Sequence, residues 1–268
     1  MDIALLTEQK INSKDGTPIA FLQSGSGPAL LLVHGTGADR SRWTAVLPQL
    51  TQHFTVYSMD RRGRGGSGDA ATYAIEREYE DIAALANSIQ GQVDILGHSF
   101  GAACVLGSVP LISNLRRLVI YEPPMLREQQ SPRRIEILEQ MDIALAEGDR
   151  DAVVVMMMRD MLGTPTAVIE RARTMPAWSG STSAAHTFTR ELRCSDAYGA
   201  HPETFSQITH KTLFLLGENS ADSFKLTTDI LHNYIPDNEV RLLPGQQHSA
   251  MLTAPALFAN EIIQFLTV

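Results

Sequence analysis

Apolar residues fall along this chain in two rhythms. Short, nearly continuous apolar runs alternate with longer stretches in which apolar residues recur every three or four positions. The runs are Ala29-Leu30-Leu31-Leu32-Val33, Phe54-Thr55-Val56-Tyr57-Ser58-Met59, Val93-Asp94-Ile95-Leu96, Arg116-Arg117-Leu118-Val119-Ile120-Tyr121, Lys211-Thr212-Leu213-Phe214-Leu215-Leu216 and Val240-Arg241-Leu242-Leu243. Such runs suit parallel strands covered on both faces. Between them the helical period predicts a helix near Ser41 with Trp43, Val46, Leu47 and Leu50 on one face. It predicts others over 73–89, from Ala102, over 224–234 and over 255–266. Asp15-Gly16-Thr17-Pro18 and Ser24-Gly25-Ser26-Gly27-Pro28 read as turns joining two further strand-like stretches.

Past Tyr121 the alternation stops. Helical patterns cover 135–146, 152–162, 167–175 and 183–192, punctuated by Gly148, Gly163-Thr164-Pro165 and Pro176. The expected fold is therefore α/β: a mostly parallel central sheet of about eight strands with helices on both faces. A helical insertion is expected after the sixth strand. The core is expected at 1–122 and 205–268, and the insertion at 123–204.

Composition changes this picture little. The chain is 268 residues long, 44% hydrophobic and 19% charged, which suits a folded domain and excludes disorder. A net charge of -8 argues against nucleic acid as a partner. No apolar stretch is long enough to span a membrane, and Met1-Asp2-Ile3-Ala4-Leu5-Leu6 lacks the basic start of a signal peptide, so a cytoplasmic protein is expected. Cys104 and Cys194 lie far apart; Cys104, on a predicted buried helix, reads as a packed thiol rather than half of a bridge.

Candidate chemistry centres on Gly97-His98-Ser99-Phe100-Gly101, which follows one strand and opens a helix. That context makes the G-x-S-x-G a nucleophile elbow, lifting a serine hydroxyl out of the sheet. Gly63 through Gly65 to Gly68 spells G-x-G-x-x-G, but more loop follows where a dinucleotide site would open a helix. No His, Cys, Asp and Glu cluster has metal-ligand spacing, and no P-loop is present, so neither a metal nor another cofactor is expected. A serine nucleophile needs a base, and His248 stands at a turn just past the last strand.

Four motifs at strand ends resemble those of the α/β-hydrolase family. They are His34-Gly35-Thr36-Gly37, Asp60-Arg61-Arg62-Gly63-Arg64-Gly65-Gly66-Ser67, the Ser99 elbow, and Gly245-Gln246-Gln247-His248. The resemblance covers nearly the whole chain outside the insertion, which is similar to the cap of many members. It implies the order nucleophile, acid, histidine. It also implies an oxyanion hole from the N–H groups of Phe100 and Thr36, with Gly35 beside them. The family's usual acid follows the strand 212–216 in a Gly-Glu-x-Asp pattern, but here Gly217-Glu218-Asn219-Ser220 puts serine there. Glu122, in Tyr121-Glu122-Pro123-Pro124, is similar in placement to the acid of zearalenone-type lactone hydrolases. It is the first choice for the triad, with Asp222 the alternative.

The resemblance implies a cofactor-independent serine hydrolase acting on a small-molecule ester or lactone. Carbon–carbon hydrolysis, perhydrolysis and a non-catalytic receptor on the same scaffold stay open. The methionine-rich cap suggests an apolar or aromatic substrate, with Trp178 and Met157 as walls of its pocket.

Overall fold

The computed structural model describes residues 7–124, 131–175, 177–198 and 202–268. The residues behind the leader-peptide expectation and Pro176 lie outside them. An eight-stranded sheet runs in the order β1-β2-β4-β3-β5-β6-β7-β8. Its strands are β1 (Gln9–Asn12), β2 (Pro18–Gly25), β3 (Ala29–Val33), β4 (Thr55–Met59), β5 (Val93–His98), β6 (Leu115–Tyr121), β7 (Lys211–Gly217) and β8 (Asn238–Leu243). The pairs β1–β2 and β2–β4 are antiparallel and all others are parallel.

Period-two alternation splits each buried strand between two cores. Leu31, Val33, Ile95 and Ile120 face one cluster; Leu30, Leu32, Leu96 and Val119 face the other. The first cluster is completed by α2 (Ile75–Ser88), α3 (Phe100–Ser108) and α9 (Asp222–Tyr234). The second takes a 3₁₀ turn (Arg40–Trp43), α1 (Leu47–Leu50), α10 (Ala250–Thr253) and α11 (Pro255–Thr267). The single helix expected from Ser41 is thus two short pieces, because Pro48 starts α1 afresh at its first turn.

The helices α4 (Pro132–Ala146), α5 (Arg150–Met156), α6 (Thr166–Arg173), α7 (Ala177–Ser183) and α8 (Phe188–Tyr198) lie between β6 and β7 in sequence. They bury a cluster of their own, including Leu138, Met141, Val153 and Phe188. The expected helix 152–162 is in fact α5 followed by a π-helical turn, Met157–Met161. Leu162 N–H reaches back to Met157 O, and Thr164 N–H bonds Met158 O as Pro165 ends the segment. A helix at 177–183 was not expected; its Ser- and Gly-rich sequence carries little apolar period. Among the described residues no helix is long and apolar enough to cross a membrane.

The strand order reverses around β3, which pairs with β4 on one side and β5 on the other. Ligands of open α/β sheets bind beyond the strand C-termini at such a switch point. Register aligns those ends: Val33 beside Gly97, His98 beside Tyr121, Tyr121 beside Leu215 and Gly217 beside Leu243. The loops carrying Thr36, Ser99, Glu122, Ser220 and His248 therefore leave neighbouring strands in one row.

Candidate active site

Ser99 sits between β5 and α3 at φ 54°. Glu122, just past β6, has φ 46°, and these are the two non-glycine residues with positive φ among the described ones. L-residues pay a steric cost there, and such strain collects at functional sites. The elbow closes because its glycines lack a side chain. A Cβ on Gly101 would lie 2.3 Å from His34 O, and one on Gly35 would lie 2.8 Å from Ser99 Cβ. The loop after β3 thus presses directly against the serine. Neither Thr36 N–H nor Phe100 N–H donates to an acceptor among the described residues. The latter opens α3, so both are left for an incoming oxygen.

Glu122 is fully buried, and its carboxylate spans the gap from β6 to the loop after β7. Gly217 N–H donates to Oε1 at 2.7 Å and Ser220 Oγ donates to the same oxygen at 2.5 Å. Oε2 lies 2.6 Å from His248 Nδ1. Ser220, which occupies the family's usual acid position, here helps to hold an acid supplied by the neighbouring strand. The Glu122 side chain is a methylene longer than aspartate, which gives it the reach.

The His248 ring stacks on Phe224, with centroids 4.2 Å apart and an 11° interplanar angle. His98 Nε2 donates to His248 O at 2.9 Å, and its ring lies 4.6 Å from the His248 ring. Burial first, then the nearby His248 and Arg42, push the His98 pKa well below its ordinary value, so His98 is neutral. Tyr121 OH donates to Gln247 O and accepts from Ala250 N–H at 3.1 Å, clamping the loop on both sides of His248.

Ser99 and His248 face one cavity of about 220 Å³. Ser99 Oγ makes no hydrogen bond among the described residues; such bonds are often loose before substrate binds. Gly35, Thr36, Phe100 and Met157 line the cavity, and Met161 and Leu162 join Met157 from the π-helical turn and its end. Two expectations are corrected. Asp222 is the first residue of α9, fully exposed and 3.7 Å from Lys225, and it is Glu122 that contacts His248 Nδ1. Trp178 is turned away from Ser99: its Nε1 donates to Asp151 Oδ1 at 2.8 Å, and it lines a separate surface depression with Arg173.

The arginine loop after β4 is buried rather than solvated. Arg62 makes a bidentate pair with Asp81. Arg61 pairs with Glu78 at 2.7 Å and with Glu191 of α8 at 3.0 Å, and its guanidinium lies 4.8 Å from the Phe100 ring centre. Arg64 pairs with Glu191 as well, and Thr36 Oγ1 donates to Glu191 Oε2 at 2.6 Å. One acid from the helical insertion thus ties the loop beside Ser99 to the core. His34 is buried too, accepting Arg61 N–H at Nε2, and burial then Arg64 and Arg61 hold it neutral. Among the described residues no cluster of His, Cys, Asp and Glu is arranged to hold a metal. Both cysteines are unbridged, and Cys104 is buried.

Sequence reasoning missed Phe224, Arg42, Glu191 and the roles of Ser220 and His98. Phe224 and Glu191 had signals only as members of helical patterns. His98 was legible as a neighbour of Ser99, but the contact it makes is 150 residues away.

Known proteins place the chain further. A 36% identical stretch of 95 residues is shared with an uncharacterized protein of Mycobacterium tuberculosis, covering 32% of this chain and only 26% of that protein. The 2-hydroxy-6-oxo-6-(2'-aminophenyl)hexa-2,4-dienoic acid hydrolase of Metapseudomonas resinovorans is 26% identical over 264 residues, 94% of this chain and 88% of its own length. The crystal structure of an alpha/beta hydrolase from Sphaerobacter thermophilus DSM 20745 superposes with a TM-score of 0.86 at 33% identity, covering 96% of this chain and 100% of that one. A profile of the alpha/beta hydrolase family matches residues 30–261, from the third strand to the last helix, and the chain belongs to that family.

Proposed function

We propose that the protein is a serine hydrolase that cleaves a carboxylic ester or lactone through an acyl-enzyme. The observation that carries this is the 2.6 Å contact between Glu122 and His248 Nδ1, on the floor of the cavity that Ser99 enters from a strained turn. With its Nδ1 proton directed at Glu122, His248 keeps Nε2 free as a base. Ser99 Oγ attacks the carbonyl carbon and its proton passes to Nε2. The oxyanion settles on the Phe100 and Thr36 N–H groups, aided by the positive end of α3. His248 then protonates the leaving alkoxide and activates water to release the acid. The helical insertion acts as a cap that keeps bulk water out during these steps. No step uses a metal or another cofactor.

A fluorophosphonate probe tests the nucleophile. Wild type is expected to label stoichiometrically and Ser99→Ala not at all. Equal labelling of the two, or none of wild type, overturns the reading in favour of a receptor built on this scaffold. Ser220→Ala should lower kcat on p-nitrophenyl butyrate about tenfold, the loss of one charge-assisted hydrogen bond to Glu122. Initial rates measure it, and an unchanged kcat removes Ser220 from the positioning of Glu122.

A second reading is carbon–carbon bond hydrolysis on the same groups. It is favoured by the Metapseudomonas relative, whose named substrate carries a ketone and no ester. A turnover assay with a vinylogous 1,5-diketone beside p-nitrophenyl butyrate separates the two.

A further inference from the structure

The cavity that holds Ser99 has one feature the ester chemistry does not use. Arg42, in the 3₁₀ turn after the oxyanion loop, lines it, and among the described residues its guanidinium has no hydrogen-bond or ion-pair partner. Its neighbours in the turn are all engaged: Arg40 pairs with Glu8 and Asp60, Asp39 caps the turn through Ser41 N–H, and Trp43 is fully buried. The fixed Trp43 and the cap hold the Arg42 backbone in place, so the side chain's position facing the cavity is built in. Burial lowers the Arg42 pKa, and the attraction of Asp39 offsets this only in part. A half-buried guanidinium beside apolar walls is less well solvated than in open water, and an arriving anion would pair with it.

The rest of the lining fits such an anion. No aspartate or glutamate is among the described lining residues. A second guanidinium, that of Arg134, also borders the cavity; it donates to Leu192 O at 3.1 Å. Met157, Met161 and Phe224 supply apolar surface in the same cavity.

We propose that the substrate carries a carboxylate, seated on Arg42, at the end of a short apolar arm bearing the scissile carbonyl: a half-ester of a dicarboxylic acid or a lactone with a free carboxyl group. This rests on the hydrolase reading above, and it adds a charged end to the apolar or aromatic substrate that the methionine-rich cap suggests. A guanidinium binds a carboxylate through two parallel N–H bonds, a geometry lysine cannot copy.

The test has two arms. In the first, mono-p-nitrophenyl esters of succinic, glutaric and adipic acids are compared with their methyl-capped diesters. Wild type should prefer at least one half-ester by about tenfold to a hundredfold in kcat/KM. Arg42→Gln should abolish that preference and Arg42→Lys should retain part of it. In the second arm, monomethyl and dimethyl glutarate are titrated calorimetrically into Ser99→Ala protein with and without Arg42→Gln. The half-ester should bind more tightly than the diester, and only when Arg42 is present. Equal kcat/KM for half-esters and diesters in wild type overturns the proposal, as does Arg42-independent binding. If no ester is cleaved but binding of the half-ester depends on Arg42, the hydrolase reading falls while the carboxylate site stands. Should Arg42→Gln not fold, the lysine variant carries both comparisons.

Discussion

Glu122→Gln is expected to lower kcat on an activated aryl ester by about 10³–10⁴-fold, while Asp222→Asn leaves it unchanged. The size follows from which atoms the amide can present. Gly217 N–H and Ser220 Oγ both donate to the Oε1 side of the Glu122 carboxylate. The serine hydroxyl can rotate, but the backbone N–H cannot. The glutamine oxygen is therefore held on that side and its NH₂ is turned toward His248 Nδ1. A donor facing Nδ1 forces the histidine proton onto Nε2, the nitrogen that has to accept from Ser99. The base is then present, correctly placed and in the wrong tautomer. The substitution is isosteric, so the melting temperature should change far less than the rate. Asp222 is the control because it is exposed and, among the described residues, pairs with Lys225. A large loss in Asp222→Asn, with Glu122→Gln active and folded, would remove Glu122 from the triad.

The path from sequence to this site was uneven, for physical reasons. Ser99 and His248 were legible as candidates because each stands at a strand end in a turn with demanding backbone geometry. Gly101 shows why: any Cβ there strikes the backbone of His34, so the pattern around Ser99 is imposed sterically. The sheet was legible because strands buried on both faces are apolar throughout. The carboxylate partner of His248 was only half legible. Serine at position 220 reads as a missing aspartate until Glu122 is seen crossing from the adjacent strand to accept its hydroxyl proton. Side-chain direction on the helical insertion was not legible at all. Met157 belongs to an apolar helical pattern and Trp178 to none, yet both read as pocket walls; the π-helical turn brings Met157 into the cavity while Trp178 bonds Asp151 outside it. The arginines after β4 carried a strong charge signal but no indication of partners. Their acids lie 17, 19 and 127 residues away.

Glu191→Gln should destabilise the protein by about 3–5 kcal/mol at neutral pH and cost activity as well. Glu191 is fully buried on α8, with Arg61, Arg64 and Thr36 as its partners. A neutral amide leaves two guanidinium groups with one fewer counter-charge, since among the described residues Glu78 pairs with Arg61 and not with Arg64. The same change loosens Thr36, whose N–H is a proposed oxyanion donor, so kcat should fall with stability rather than independently of it. The pH dependence has a definite sign. Burial pushes the Glu191 carboxyl up, but the Arg61 and Arg64 charges outweigh it and bring its pKa down from 4.5 to about 2. A carboxylate with a depressed folded pKa stabilises fully above its unfolded value and loses that contribution as pH falls through the folded one. The gap in melting temperature between wild type and Glu191→Gln should therefore be constant from neutral pH down to about 4.5, then close toward about 2. Thermal melts of both proteins across that range measure it. A gap that stays open in acid would mean that shape at position 191, and not its charge, holds α8 against the loop beside Ser99.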